Sequence, residues 1–272
     1  MSKTLDGRVA VVTGASRGIG AEIARLFASE GAAVVVAART TEQNPHRLPG
    51  TLDDTVRDIV NAGGRALAVP TDLSDRAARE HLIDATRAEF GPVDILVNNA
   101  AIAYFVPTAE IRLDGVDLMF AVQVDAPLHL SQLVLPEMKE RRRGWILNVT
   151  SDTARHPRMP PNARWATGRE TVYGMCKAAL ERLSTGLAAE VYADGIAVNA
   201  LGPRRVVPTP GTIFHGVTTA GDPRSEPAAV MAHAAHALCS CDPGELTGRV
   251  ARSQELLAEL GLPIPTMETV DG

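Results

Sequence analysis

The chain contains 272 residues, of which 45% are hydrophobic and 22% charged, with a formal net charge of −5 at pH 7. These values exclude a disordered chain and favour one large domain with a sizeable core. Acidic and basic residues are interspersed, so neither nucleic acid nor an anionic membrane surface is an expected partner. Residues 1–7 are polar, unlike the start of a signal peptide, and the apolar runs have the length of strands rather than of membrane spans.

The chain has three cysteines, an odd number, and none has the spacing of a disulfide framework. This usage predicts a reducing compartment and hence a cytoplasmic protein. Cys239 and Cys241 lie close in sequence to His233 and His236, but these residues do not match a recognised ligand spacing. We therefore predict no metal site.

Short apolar segments alternate with helical stretches up to about residue 200, which is typical of a parallel sheet covered by helices on both faces. The sequence therefore predicts an α/β fold, a doubly wound parallel sheet (Rossmann) in a three-layer αβα arrangement, forming a single domain over residues 1–272. The predicted strands cover residues 8–13, 33–38, 65–70, 93–98, 145–150 and 196–201, with a last edge strand at 246–250. The predicted helices cover residues 19–29, 52–61, 128–143, 172–193 and 226–240, and a further one runs to residue 90 from the N-cap Ser74.

A glycine-rich turn follows the first predicted strand and precedes the first predicted helix. Gly14 permits a tight turn, Gly18 lets the backbone approach a pyrophosphate, and Gly20 allows close packing of helix on strand. Any strand-helix turn can use glycine, so the triplet alone is weak. Its position at the start of a doubly wound pattern predicts a dinucleotide site.

The second strand ends with Arg39, where NAD-specific sites usually carry a carboxylate for the ribose 2′-hydroxyl. A guanidinium there suits a 2′-phosphate, and Arg17 in the glycine-rich turn adds a second cation. The alternative is that both arginines are merely exposed loop cations. We predict NADP(H) as the cofactor in preference to NAD(H).

Tyr173 and Lys177 lie four residues apart, one turn along the same face of a predicted helix. A nearby ammonium favours the phenolate, so we expect Lys177 to lower the pKa of Tyr173. On its own such a pair is common and usually consists of two surface side chains.

These features, with others in order along the chain, resemble the single-domain branch of the short-chain dehydrogenase/reductase family. The residues that carry the resemblance are the motif from Thr13 to Gly20, Asp72 after the third strand, the run Asn98-Asn99-Ala100, Ser151 after the fifth strand, Tyr173 with Lys177, and the segment 198–203 that ends at Pro203. The resemblance covers the chain up to about residue 210. The loop at residues 40–50 and its exit Leu48-Pro49-Gly50-Thr51 also resemble a subgroup of hydroxysteroid-dehydrogenase-like proteins.

The resemblance implies an oxidoreductase that interconverts an alcohol and a ketone or aldehyde, with the hydride carried by nicotinamide. It implies that Tyr173 is the general acid or base, that Ser151 holds the substrate oxygen, and that Lys177 also binds the nicotinamide ribose. A small-molecule substrate and a homotetramer or homodimer are implied in the same way. The implied cofactor-binding residues are Gly14, Ser16, Arg17, Gly18, Ile19, Gly20, Arg39, Asp72, Leu73, Asn99, Ala100, Tyr173, Lys177, Pro203 and Thr209.

The sequence departs from the family pattern at positions near this site. Gln123 stands where the family often has an asparagine that holds a relay water, and we include it among the predicted catalytic residues. Ala101 and Arg204 replace glycines beside the expected cofactor. These departures motivate an alternative, a non-catalytic NADP(H)-binding regulatory protein, against which the intact catalytic triplet argues.

Two long irregular segments are expected to shape the substrate pocket. The active-site loop, residues 152–170, is enlarged, because Ser151 and Tyr173 lie 22 positions apart. Its arginines have two open interpretations: they bind an acidic group such as a carboxylate or a coenzyme A phosphate, or they face solvent or another subunit. By the resemblance, residues 202–226 form the mobile substrate-binding segment, in which Thr209 contacts the nicotinamide.

Overall fold

The computed structural model describes residues 3–266, apart from the Arg164 side chain, so the ends of the predicted domain lie outside the described residues. Its strands are β1 Val9–Thr13, β2 Ala33–Ala38, β3 Arg65–Pro70, β4 Ile95–Asn98, β5 Gly144–Val149, β6 Ile196–Gly202 and β7 Val250–Arg252. They form one sheet in the order β3-β2-β1-β4-β5-β6-β7, and each neighbouring pair is parallel. The predicted doubly wound sheet is confirmed. Chain order reverses between β1 and β4, where such sheets open a crevice for ligands.

Helices cover both faces of this sheet. They are α1 Gly18–Ser29, α2 Leu52–Asn61, α3 Arg76–Phe90, α4 Leu113–Phe120, α5 Ala126–Arg141, α6 Ala163–Thr167, α7 Thr171–Glu190, α8 Pro210–Phe214, α9 Ala228–Ser240 and α10 Ser253–Glu259. One core cluster lies under α1 and α9 and includes Phe27 and Val36, and a second lies under α3 and α5 and includes Leu82 and Leu130. The three-layer arrangement is therefore also confirmed.

The predicted start of α3 is wrong by one residue. The N-cap is Asp75, whose side chain accepts a hydrogen bond from the backbone N–H of Ala77 at 2.9 Å. Ser74 instead donates both its backbone N–H and its hydroxyl to Asp72, at 2.9 and 2.7 Å. Both residue types cap helices well, and the competing turn at Asp72 decides between them.

The predicted edge strand at residues 246–250 is also wrong, because β7 is Val250–Arg252. The side chain of Asn199 in β6 donates to the carbonyl of Leu246 and accepts from the N–H of Arg249, at 2.7 and 3.0 Å. Backbone hydrogen bonds also join this segment to β6, from Gly248 to Val198 and from Ala200 to Arg249, but the side-chain bonds of Asn199 interrupt the regular ladder, and β7 begins at Val250.

The helix predicted over residues 128–143 begins much earlier. A π-helical turn, Ala121–Asp125, joins α4 and α5 into one stretch of 29 residues, Leu113–Arg141. Its length and apolar composition would suffice to cross a membrane, but half of its most apolar window is buried in the protein, where α5 packs on α3 and β5. Such burial is typical of the core helix of a folded domain.

Candidate active site

The glycine-rich turn joins β1 to α1 at the carboxyl edge of the sheet. Gly14 has a φ of +66°, and an added Cβ would lie 2.7 Å from the Cα of Ala100, so the turn requires glycine. Gly18 has a φ of +58°, and an added Cβ would lie 2.9 Å from the Cγ2 of Thr209. Arg17, the N-cap of α1, makes no side-chain capping bond, so its side chain does not cover the first N–H groups of the helix. The predicted cofactor residues Ser16 and Ile19 lie in this turn, buried and partly buried.

Asn99 binds the glycine-rich turn from the neighbouring strand end. Its Nδ2 donates to the carbonyls of Thr13 and Gly14, at 2.9 and 3.2 Å. The backbone N–H groups of Asn99 and Ala100 both donate to the Thr13 hydroxyl. A Cβ on Gly20 would clash with this same Asn99 amide. Gly20 therefore leaves space for the Asn99 side chain at the end of β4. This contact explains the glycine more specifically than the helix-strand packing expected from the sequence.

Basic side chains gather beyond the end of β2. Arg17 donates to the carbonyl of Gly50 at 2.8 Å, and its Nη1 lies 3.3 Å from the Nδ1 of His46. Partial burial lowers the pKa of His46, and the charges of Arg17, Arg47 and the exposed Arg39 lower it further. Arg17 and Arg39 were predicted here, whereas His46 and Arg47 were not. The signal that could have found them is the basic pair in the loop directly after β2.

Asp72 and Leu73 follow β3 beside this basic cluster. Burial opposes ionisation of Asp72, but the hydrogen bonds from Ser74 and the charge of Arg39 together lower its pKa. Leu73 is buried. A carboxylate and an apolar side chain thus meet at the edge between β2 and β3, which is where the sequence predicts the adenosine end of the cofactor.

On α7 the Lys177 side chain is buried and the Tyr173 side chain is partly buried, so they are not a surface pair. Lys177 is 2% exposed, and its Nζ donates to the carbonyl of Val149 at 2.9 Å. That Nζ lies 5.5 Å from the centre of the Tyr173 ring. Burial lowers the pKa of Lys177 to about 8 and raises the pKa of Tyr173 well above its usual range. The expected lowering of the tyrosine pKa by Lys177 is therefore not seen, because desolvation of the phenolate raises that pKa and the charges of Glu170 and Cys176 raise it further.

Ser151 begins a 3₁₀ turn, Asp152–Ala154, that packs against α7. Its Oγ accepts the N–H of Thr153 at 3.3 Å. A Cβ on Gly174 would lie 2.5 Å from the carbonyl oxygen of Thr153, so the turn lies directly on the helix next to Tyr173. The structure thus places all three predicted residues of the catalytic centre around the start of α7.

A buried arginine that sequence reasoning missed lies behind this turn. The Arg252 side chain is 3% exposed, and its Nε lies 3.3 Å from Oδ1 of Asp152. Its Nη2 lies 3.4 Å from Glu181 and 3.5 Å from the carbonyl oxygen of Ser151. Thr150 donates to the same Glu181 oxygen at 2.9 Å. Arg252 comes from β7, far away in sequence, and no local pattern marks it.

Gln123 lies in the π-helical turn, which packs against α7. Its side chain is 1% exposed, and its Nε2 donates to the carbonyl of Ile102 at 2.9 Å. Within the described residues its buried Oε1 has no hydrogen-bond partner. A buried acceptor without a partner is costly unless a water or ligand satisfies it.

Aromatic side chains extend from Tyr173 to the basic cluster. The Phe105 ring meets the Tyr173 ring edge-on at 5.8 Å between centroids, and meets His215 at 5.3 Å. His215 in turn meets Phe214 at 5.3 Å, and the Arg47 guanidinium lies 4.1 Å from the centre of the Phe214 ring. The substrate-binding segment, through Phe214 and His215, thus contacts the loop at residues 40–50 and the Phe105 ring beside the tyrosine. Sequence reasoning named none of these partners of Tyr173.

The remaining predicted residues near the nicotinamide position are spread more widely. Pro203 is partly buried after β6, and Thr209 caps α8 and lies against Gly18. The Arg204 side chain pairs with Glu255 of α10 at 3.0 Å. Arg204 is one of the departures from the family pattern that motivated the alternative of a regulatory protein, and its side chain is engaged in an ion pair with α10.

Across residues 3–266 no group of three or more His, Cys, Asp or Glu side chains is arranged to hold a metal ion. His236 instead lies 2.6 Å from the Thr4 hydroxyl. Burial raises the pKa of Cys239 and raises that of Cys241 to about 11, so both thiols stay protonated near neutral pH.

Fold and site together define a class: an oxidoreductase that binds a nicotinamide cofactor at the carboxyl edge of a parallel sheet. The family follows from comparison with known proteins. A family model described as short chain dehydrogenase matches residues 8–212, three quarters of the chain. The chain belongs to the short-chain dehydrogenase family.

Relatives and solved structures agree with this assignment. Hydroxysteroid dehydrogenase-like protein 2 of Xenopus tropicalis is 33% identical over 258 residues, 95% of this chain and 59% of that relative. A metagenomic short-chain oxidoreductase in complex with NADP has a TM-score of 0.74 at 30% identity, covering 92% of this chain and 98% of that one. A short-chain dehydrogenase of Mycobacterium thermoresistibile has a TM-score of 0.80 at 33% identity, covering 95% and 89%.

The predicted resemblance to the hydroxysteroid-dehydrogenase-like subgroup is thereby confirmed. The chain spans about 59% of the length of the first of these curated relatives. What the longer relatives do as whole proteins therefore does not transfer directly to this chain.

Proposed function

We propose that the protein is an NADP(H)-dependent oxidoreductase that interconverts an alcohol and a ketone or aldehyde, with Tyr173 as general acid and base. The observation that carries the proposal is the contact on α7 between the partly buried Tyr173 and the buried Lys177, against which the Ser151 turn packs. A phenol, an ammonium and a hydroxyl gathered at the carboxyl edge of the sheet suit proton transfer to or from a substrate oxygen.

The residues of the glycine-rich turn fit a dinucleotide. A Cβ at Gly14 would collide with Ala100, and one at Gly18 would collide with Thr209, so only a bare backbone lines the place where a pyrophosphate would lie. This turn and the N-terminus of α1 would hold the phosphates, Asp72 the adenosine, and Lys177 the nicotinamide ribose. When bound, the nicotinamide supplies or accepts the hydride.

Tyr173 and Ser151 act on the substrate oxygen. Because burial raises the pKa of Tyr173, its phenol keeps its proton near neutral pH and suits a general acid in carbonyl reduction. The Ser151 Oγ accepts the Thr153 N–H and keeps its own hydrogen to donate to the same oxygen.

Lys177 and Gln123 have supporting roles in the proton transfer by Tyr173 and Ser151. Lys177 uses one of its three N–H donors on Val149, which leaves two for ribose hydroxyls. The buried Oε1 of Gln123 suits a water that returns a proton towards Lys177 and Tyr173.

The preference for NADP(H) rests on the charge beyond β2. Arg17, Arg39 and His46 lie where the chain has no carboxylate to meet a 2′-hydroxyl, and a 2′-phosphate would pair with the guanidinium groups. NADPH should bind more tightly than NADH, and Arg39→Asp should reverse the order in fluorescence titrations. Equal affinities of the unmodified protein for the two cofactors would overturn this part of the proposal.

Tyr173→Phe tests the catalytic role directly. A panel of carbonyls and alcohols is screened through the absorbance of reduced nicotinamide, and the variant should lose at least about 10²-fold in kcat. Tyr192→Phe is the matched control, because Tyr192 is 62% exposed. Tight NADPH binding without turnover of any panel member would instead favour the alternative, a non-catalytic NADP(H)-binding regulator.

We also propose a cytoplasmic location, from the cysteine usage, and a homotetrameric or homodimeric assembly, from the family resemblance. Light scattering coupled to gel filtration checks the assembly, and a monomer at micromolar concentration would contradict it. Microscopy of the tagged chain in its native cell checks the location.

A further inference from the structure

The enlarged loop between Ser151 and Tyr173 lines a half-open cavity of about 440 Å³. A cavity of this size is within the range of small-ligand sites. Its described lining includes Asp152, Arg155, His156, Arg158, Asn162 and Trp165.

The lining of the cavity begins one residue after Ser151. Asp152 directly follows Ser151 and begins the turn that packs on α7 beside Tyr173. Another part of the lining comes from the start of α6, where the backbone N–H of Trp165 donates to the side chain of Asn162 at 3.1 Å. A substrate whose reacting carbon lies at Ser151 would therefore extend a neighbouring group into this cavity.

The side chains that line the cavity have a net positive charge even after the negative charge of Asp152 is subtracted. Asp152 pairs with Arg155 at 3.1 Å and with the buried Arg252 at 3.3 Å, and Arg252 also lies 3.4 Å from Glu181, so these two guanidinium groups balance two carboxylates. Arg158 forms no ion pair with any residue of the described part, and His156 is exposed beside it. Guanidinium groups bind carboxylate and phosphate oxygens better than other polar groups do.

We infer that this cavity is an anion subsite, which binds a carboxylate or phosphate group of the substrate through Arg158 and Arg155. The inference rests on the proposed function, and it narrows the substrate class to carbonyl or alcohol compounds that carry an acidic group. The partly buried Trp165 provides an apolar wall for the carbon chain that joins the acidic group to the reacting carbon.

Matched substrates test the inference. Keto acids and their methyl esters are compared by kcat/KM in the unmodified enzyme with saturating NADPH. The acids should be preferred, and Arg158→Gln should reduce kcat/KM for the acids by about 10- to 100-fold while the esters change less than twofold. Equal use of acids and esters, or an equal loss for both in Arg158→Gln, would overturn the inference.

Two further comparisons are made. One identifies the acidic group that binds, and the other controls for the loss of a surface charge. A keto-acyl coenzyme A and the corresponding pantetheine thioester, which lacks the phosphates, distinguish a phosphate from a carboxylate as the bound group. Arg76→Gln is the matched control, since that exposed arginine lies on α3, does not line the cavity and should change neither ratio.

Direct binding separates failure of the subsite from failure of the proposed function. Succinate and inorganic phosphate are titrated by calorimetry into the NADP⁺ complex of the unmodified protein and of Arg158→Gln. At least one anion should bind the former and bind the latter at least tenfold more weakly. This holds whether or not any panel compound is turned over. Equal binding by the two proteins would overturn the subsite even if catalysis is observed.

Discussion

The cofactor end and the substrate end of the site are held together by different kinds of contact. At the cofactor end the positioning groups are backbone atoms, with glycines packed against Ala100 and Asn99 bonded to the carbonyls of Thr13 and Gly14. At the substrate end, side chains from loops far apart in sequence meet one another, as Phe105 does with His215. Most of the latter groups are exposed, and their pairings are individually weak.

The difference teaches which changes each end tolerates. Where the backbone itself forms the surface of the site, a single added methyl group cannot be accommodated, and the loss of stability is large. Where side chains pair across loops, one partner can be replaced at small cost, and the specificity of the pocket can change without loss of the fold. Changes at the cofactor end should therefore cost several times more stability than changes at the substrate end.

Gly14→Ala should have the largest effect. The new Cβ would lie 2.7 Å from the Ala100 Cα at a φ of +66°, and crowding with backbone strain should lower the free energy of unfolding by about 2–5 kcal/mol. NADPH binding should weaken with it, and urea unfolding with a cofactor titration measures both. Gly63→Ala is the control, because Gly63 has a φ of +81° and open space around it, so only the strain of about 1–2 kcal/mol remains. Equal losses in the two variants would show that the close approach at Ala100 does not matter.

A buried charge between the two ends gives a pH-dependent effect of intermediate size. The pKa of Lys177 is lowered to about 8 from an ordinary value near 10.5, so folding favours the neutral amine more than the unfolded chain does. The cost of burying the ammonium is fully present below pH 8 and disappears as the pH rises to about 10.5. Relative to Lys177→Met, the unmodified protein should therefore gain up to about 3 kcal/mol between pH 7 and pH 10.5.

Urea unfolding of both proteins across this range measures that difference. Lys139→Met provides the comparison, because Lys139 is partly exposed and forms an ion pair with Asp194. Its stability difference from the unmodified protein should change much less with pH. A constant difference for Lys177→Met would contradict the burial of its charge.

The smallest effect is expected at the contact between the loop at residues 40–50 and α8. Arg47 lies over the Phe214 ring, so a double-mutant cycle with Arg47→Gln and Phe214→Leu should give a coupling energy of about 0.5–1 kcal/mol. Unfolding in urea measures the stability coupling, and KM for the best panel substrate measures its effect on the pocket. A coupling energy of zero would mean that the substrate-binding segment is not held to the loop after β2.

Much of the site was predictable because its signals are local. The spacing of Gly14, Gly18 and Gly20 between a strand and a helix fixes the turn, and the four-residue spacing places Tyr173 and Lys177 on one helix face. The run of apolar segments predicted the parallel sheet, since strands buried on both faces lack polar alternation. The predicted boundaries of helices and strands were wrong where a side chain competed with the regular hydrogen-bond pattern, as at Asp72 and Asn199.

The sequence by itself therefore determined the strand and helix pattern, the glycine-rich turn and the residue types of the catalytic centre, because each depends on neighbours within a few residues. Only the tertiary structure decided that Arg252 lies behind Ser151, that the Phe105 ring contacts the Tyr173 ring, and that the charge of Asp152 in the basic cavity is paired with that of Arg252. It also decided that desolvation, not the nearby cation, dominates the pKa of Tyr173. Contacts between distant segments and the loss of water around a buried group arise only when the chain has folded, and no local pattern encodes them.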